Sequence, residues 1–181
     1  MRAVVARVTR ASVVVAGDAA ERSSTIGTGD AAERSSTIGT GQTVGALDGP
    51  GLLVLLGVHR DDPARVGTAD DPVPVMARKL HELRILGPGE RSDGEWARER
   101  SCAETGAGLL VVSQFTLYGE TRTGRRPSWS AAAPGPDAER LVTGVVEALR
   151  GRGAPVARGV FGAEMAVESV NDGPFTVLVE V

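Results

Sequence analysis

Between Gly51 and Gly57 the chain reads Leu52-Leu53-Val54-Leu55-Leu56 with no polar residue. A strand with water on one face alternates apolar and polar side chains. An unbroken apolar run of this length suits a strand covered on both faces. That requires packed layers on either side, and the rest of the chain offers candidates. Leu109 to Val112 is a second apolar run. Met165 to Val170 and Phe175 to Val181 read as two further strands. The last alternates Phe175, Val177, Val179 and Val181 against Thr176, Leu178 and Glu180, which predicts one buried face. Val73, Met76, Ala77, Leu80 and Leu83 fall on one helical face, with prolines only at its start, where they are tolerated. Pro134-Gly135-Pro136-Asp137 opens a second helix with an apolar stripe of Ala138, Leu141, Val142, Val145 and Leu149. Gly151 is placed as its C-terminal stop. Asp61 to Asp71 reads as a loop or broken helix. The sum is one mixed α/β domain over residues 1–181, with more sheet than helix.

Composition narrows the function. Aromatic residues are 3% of the chain, so the core must be built from Val, Leu and Ala. The single cysteine, Cys102, excludes an intrachain disulfide. Met1-Arg2 leads into alternating strand residues and not into an apolar leader. No apolar run approaches the roughly 20 residues of a membrane helix. A cytoplasmic protein with no membrane association is expected. The net charge of -3 argues against broad, sequence-blind nucleic-acid binding, which needs many phosphate contacts. It leaves recognition of a single RNA end open. A local basic cluster at Arg122, Arg125 and Arg126 reads either as a solvated loop or as a phosphate contact.

Residues 17–28 read GDAAERSSTIGT, and residues 29–40 repeat that sequence without change. Two short polar copies cannot stack into a solenoid core. The repeat reads as a duplication within a hairpin loop at about 17–41. Loop-closure cost grows slowly with length, so the fold should accommodate it. Gly27-Thr28-Gly29-Asp30-Ala31-Ala32 fits a dinucleotide-binding fingerprint by chance: no strand precedes it and no long helix follows.

Two polar segments remain, each after an apolar run. One is Ser113-Gln114-Phe115-Thr116-Leu117-Tyr118. The other is Asn171-Asp172-Gly173-Pro174-Phe175-Thr176. The first reads either as a strand with alternating faces or as a strand end that delivers polar groups and backbone to a surface. The second reads either as a hairpin turn or as a site where a Gly-Pro step directs carbonyls in a fixed way. Only X-Pro bonds become cis at modest cost.

Together these blocks resemble the D-aminoacyl-tRNA deacylases (the D-tyrosyl-tRNA deacylase family). The likeness runs through Met1 to Val13, Gly51 to Val58, Ala77 to Ile85, Val111 to Gly119, Gly124 to Trp129, Phe161 to Met165 and Asn171 to Thr176. Glu95 to Cys102 and the duplicated loop depart from the family pattern. The resemblance implies two packed β-sheets with a helical layer, and a homodimer. It implies hydrolysis of the ester of D-aminoacyl-tRNA, and of glycyl-tRNA, as trans-acting proofreading. Ser113, Gln114, Phe115 and Thr116 are the implied catalytic segment. A cis Gly173-Pro174 is implied to enter the partner subunit's active site and reject L-residues, and Asn171 is an implied substrate-binding residue. Arg7 is implied to hold the Gly-Pro carbonyls; its alternative is a surface strand arginine. Phe161 and Met165 are implied to hold the 3′-terminal adenosine; their alternative is core packing.

The residues themselves offer little other machinery. His59 and His81 share no metal-site spacing with Cys102 or a carboxylate, and no Ser-His-Asp arrangement or nucleophile elbow is visible. No metal and no cofactor are expected. An aminoacyl ester is already activated, and its neighbouring 2′-hydroxyl can assist water. Positioning and backbone N–H donors at Phe115-Thr116 then suffice. Thr116 reads as a donor and not a nucleophile, because no base stands beside it. Two other functions compete: a non-catalytic nucleic-acid-binding protein on the same fold, and an editing domain for L-aminoacyl esters. The intact Asn171-Asp172-Gly173-Pro174 argues against the second.

Overall fold

The structure, a computed structural model, describes residues 1–15, 41–87, 99–122 and 124–181. The duplicated loop, the chance fingerprint and residues 95–98 lie outside these. In chain order the elements are β1 (Arg2–Val15), β2 (Gln42–Leu47), β3 (Gly51–Gly57), α1 (Pro72–Glu82), α2 (Cys102–Thr105), β4 (Gly108–Ser113), α3 (Gly135–Gly151), β5 (Val156–Arg158) and β6 (Met165–Glu180). Single 3₁₀ turns occupy Asp62–Arg65 and Phe115–Tyr118.

Hydrogen bonding joins the strands into one six-stranded sheet, in the order β2-β1-β3-β4-β5 with β6 also on β1. Two packed sheets were expected. The ladder is continuous because β1 is shared by three partners. Its first half pairs antiparallel with β3, its second half with β2, and β6 runs along nearly its whole length. β3 and β4 pair in parallel, as do β4 and β5.

β3 is covered on both faces, as its sequence requires. Leu52, Val54 and Leu56 point into the main core with Leu109 and Val111 of β4, and α1 and α3 close that side with Met76, Leu80, Leu141, Val145 and Leu149. Leu53 points the other way, with Leu110 and Val112, toward Val8, Ala11 and Val13 of β1. The helices follow their apolar stripes. Asp71 caps α1 by accepting from the Val73 N–H at 2.9 Å. α3 runs through Gly151. Its stop is Gly153, which takes the left-handed φ of 83° and donates to the Arg150 carbonyl. A side chain at Gly153 would be strained in that conformation, whereas Gly151 sits in ordinary helix.

The expected pair of C-terminal strands is one strand with an arch in it. Thr176 of β6 pairs with Ala6 and Asn171 pairs with Val8. Four residues, Asp172 to Phe175, therefore stand opposite Arg7 alone. The strand leaves its ladder there and rejoins the same partner, so the segment is a bulge and not a hairpin turn.

Candidate active site

β4 ends at Ser113, in register with Leu56, and the Gln114 N–H donates to the Leu56 carbonyl at 2.8 Å. Gln114 then leaves the strand at φ -143° and ψ 82°, and Phe115–Tyr118 form the 3₁₀ turn. The segment is thus a strand end and not a longer strand. Two supports hold the turn. Gly57 closes β3 directly beneath it: a Cβ there would stand 2.9 Å from the Gln114 carbonyl oxygen and 3.2 Å from Leu117 Cβ. Arg2 of β1 donates from Nη1 to the Leu117 carbonyl at 2.9 Å and lies 5.1 Å from the Tyr118 ring centre.

The first N–H groups of a helical turn have no partner inside it. Among the described residues, the N–H groups of Phe115 and Thr116 have no acceptor. Gln114 donates from Nε2 to Thr116 Oγ1. The Phe115 ring is 55% exposed and meets Trp129 edge-on, with ring centres 5.4 Å apart. Beside the turn opens a cavity of about 450 Å³, bounded by Ser113, Gln114, Phe115, Trp129, Phe161 and the stretch Ala132–Gly135 that leads into α3.

A second group gathers at the arch. Arg7 Nε donates to the Asp172 carbonyl at 2.9 Å and lies 2.8 Å from its carboxylate. Nη2 donates to the Gly173 carbonyl at 3.3 Å, and Nη1 to the Ile85 carbonyl at 3.0 Å. The guanidinium also lies 4.4 Å from the Phe175 ring centre. The carbonyls it holds are those of Asp172 and Gly173, where Gly173 and Pro174 were expected. Asn171 Nδ2 donates to Thr176 Oγ1 at 3.1 Å, closing the base of the arch. The Gly173-Pro174 bond is cis.

The sequence-derived residues therefore fall into two places. Ser113, Gln114, Phe115 and Phe161 meet at the cavity, and Thr116 stands on the turn beside it. Arg7, Asn171, Gly173 and Pro174 meet at the arch, and Gly173 and Pro174 bound neither of the two described cavities that Ser113 lines. Met165 is away from both: it pairs with Val15 and packs in the cluster around Val13.

Among the described residues, no carboxylate or imidazole hydrogen-bonds Thr116, whose partner is Gln114. Burial first, and then the charge of Asp62, push the Tyr118 hydroxyl up to about 12. His59 leans on the Tyr118 ring and lies 3.5 Å from Asp61. In the basic cluster, Arg122 is engaged by Glu120 at 2.8 Å, and that hydrogen-bonded pairing holds the Glu120 carboxyl down to about 2. Arg125 and Arg126 make no ion pair among the described residues. Those residues also hold no group of three His, Cys, Asp or Glu side chains able to bind a metal, and no helix long and apolar enough to cross a membrane. Sequence reading missed Arg2 and Gly57, whose roles depend on contacts across the sheet. It also missed Asp62, buried and 2.9 Å from the Met1 amine.

A family model described as D-Tyr-tRNA(Tyr) deacylase matches residues 4–180. The chain belongs to the D-Tyr-tRNA(Tyr) deacylase family. Similar curated proteins agree with this. The D-aminoacyl-tRNA deacylase of Kineococcus radiotolerans is 50% identical over 181 residues, covering 99% of each chain. That of Thermobifida fusca is 50% identical over 182 residues, covering 100% of each. Among solved structures, one described as c-Myc DNA Unwinding Element Binding Protein aligns at a TM-score of 0.72 and 30% identity, covering 100% of this chain and 99% of that one. A probable eukaryotic D-amino acid tRNA deacylase aligns at a TM-score of 0.70 over 99% of this chain and 98% of its own; at 16% identity it speaks for the fold alone.

Proposed function

We propose that this chain hydrolyses the ester of D-aminoacyl-tRNA, releasing the D-amino acid and free tRNA. The observation that carries the reading is the strand end at Ser113. It presents two unpartnered N–H groups, at Phe115 and Thr116, beside a cavity within the size range of small-ligand pockets. The terminal adenosine enters that cavity against Phe161 and Trp129. The ester carbonyl lies over the turn. Water attacks with help from the ribose 2′-hydroxyl, and the oxyanion forms against the backbone donors, which need no reorganisation. Thr116, aligned by Gln114, adds a donor.

Chirality is read by the arch of a second copy. Arg2 serves the turn and Arg7 serves the arch. They stand five residues apart on one strand, roughly 17 Å at the usual rise. On one copy the arch bounds neither of the two described cavities beside the turn. In a homodimer the partner's arch closes over the site, takes the amino group on its carbonyls and leaves no room for an L side chain. Glycine has no side chain to clash, so glycyl-tRNA is also cleaved.

The test is release of amino acid from matched D-, L- and glycyl-tRNA. The reading expects turnover of the D- and glycyl-esters and sparing of the L-ester. A second reading, nucleic-acid binding without catalysis, is favoured by the description of the structural neighbour as a DNA-element-binding protein. Tight binding of all three tRNAs with no release would select it.

A further inference from the structure

We propose that a second cavity, next to the first, holds the base of the nucleotide before the terminal adenosine and reads it as cytosine. This rests on the deacylase reading. The second cavity measures about 270 Å³ and shares Ser113, Val142 and Phe161 with the first as common walls. A strand of RNA whose last nucleoside occupies the first cavity therefore has the second as its neighbouring compartment.

The lining is graded. Val44, Val142 and Val160 are apolar and keep part of their surface open, a surface suited to the face of a base. Glu139, Thr143 and Arg158 supply the polar part. Glu139 and Thr143 lie one turn apart on α3 and so share a face. Arg158 ends β5, and the next peptide is fixed by the Gly159 N–H donating to the Val111 carbonyl at 3.1 Å. Other charges on α3 are satisfied within the helix, Asp137 by Arg140 and Glu147 by Arg150. Among the described residues, Glu139 and Arg158 have no ion-pair partner, and they do not pair with each other although they bound the same cavity.

An acceptor-only carboxylate and a donor-only guanidinium across a gap suit one pyrimidine edge. Cytosine offers its N4 amine to a carboxylate, and its N3 and O2 accept from a guanidinium. Uracil sets its O4 acceptor against the carboxylate and its N3–H donor against the guanidinium, while O2 accepts in both bases. Single-stranded RNA is commonly read in this way, on splayed bases. Aminoacyl-tRNA ends in C-C-A, so the residue before the adenosine is a cytidine.

The experiment compares D-aminoacyl esters of adenosine, cytidylyl-adenosine and uridylyl-adenosine, with D-aminoacyl-tRNA as control. The expected result is kcat/KM on the order of tenfold higher for cytidylyl-adenosine than for the other two, the discrimination one good base contact gives. Glu139→Gln should bring the cytidylyl and uridylyl esters within about threefold of each other while leaving the plain adenosine ester unchanged. Equal rates on all three esters would overturn the proposal. So would a Glu139→Gln effect of equal size on all three, or a change in preference among D-amino acids instead of among nucleotides. Where only full-length tRNA turns over, tRNAs ending in C-C-A and C-U-A carry the same comparison. Failure of the D-aminoacyl-tRNA control itself would be failure of the deacylase reading, and the proposal would fall with it.

Discussion

Replacing Arg7 with Met keeps most of the side chain's apolar length against Phe175 and removes the guanidinium. Three backbone carbonyls lose a charged donor: Asp172, Gly173 and Ile85. Hydrogen bonds to a charged group contribute about 1.5–3 kcal/mol each. The Gly173 bond is long and exposed, and water replaces much of it. The Asp172 carboxylate is about half exposed and rehydrates as well. A net loss of about 2 kcal/mol in the ordering of the arch is the reasonable figure. If the arch carbonyls bind the substrate amino group, that loss lowers kcat/KM on D-aminoacyl-tRNA by about 30-fold. The ratio of D to L rates should narrow as well, since a loose arch no longer excludes an L side chain. The melting temperature should fall by roughly 4–8 °C. The assay is amino-acid release from D- and L-aminoacyl-tRNA, with a thermal melt on the same sample. A folded variant with unchanged kcat/KM and an unchanged D to L ratio would refute the reasoning and leave Arg7 as a strand arginine that happens to reach the arch.

Gly57→Ala should lower kcat/KM at least tenfold while the protein still folds, because the new methyl displaces the Gln114 carbonyl and with it the turn; an unchanged rate would show that the turn's placement is not critical. Thr116→Ala should cost no more than about tenfold, and an acyl-Thr116 adduct detected by mass spectrometry would contradict the donor role. Deleting residues 29–40 should leave melting temperature and activity nearly unchanged, since Val15 and Gln42 are already paired and one copy remains to join them; a large fall in either would show that the second copy contributes. Burial pushes the Cys102 thiol up to about 12 from its ordinary 9.0. Between those values the unfolded chain releases this proton and the folded chain keeps it, so stability should fall from about pH 9 toward 12. Tyr118, raised to about 12 from 10.0, acts in the same direction over the upper part of that range. Denaturant melts at pH 8 and 10.5 check this, and a flat profile would count against it.

The main core was legible because its signals are local. The unbroken Leu52 to Leu56 run demanded two covered faces, and the stripes of α1 and α3 gave their buried sides. What escaped depends on partners distant in sequence. Nothing local to Asn171-Asp172-Gly173-Pro174 says that the strand will rejoin the partner it left, so turn-forming residues suggested a break between two strands. Nothing near Arg2 announces that its target is the Leu117 carbonyl. Asp62 looked like loop polarity because the amine it pairs with is at the start of the chain. Gly151 and Gly153 both fit a helix stop by composition, and only the backbone angle separates them. In the candidate site, the Ser113 to Thr116 segment and Phe161 were found by family likeness; the contacts by which Gly57 and Arg2 support the turn depend on neighbours in space.

β1 pairs with β3 at one end, with β2 at the other, and with β6 along most of its length. It therefore treats changes in length differently at its two ends. Beyond Val15 the chain already carries a twelve-residue duplication, and the next strand still starts in register at Gln42. Between Arg2 and Arg7 even one added or lost residue would turn every later side chain to the opposite face. It would also change the spacing of the turn and the arch, which in a homodimer must match between two copies. Natural variation in such a chain should accumulate as insertions at the first hairpin and only as substitutions in residues 2–7.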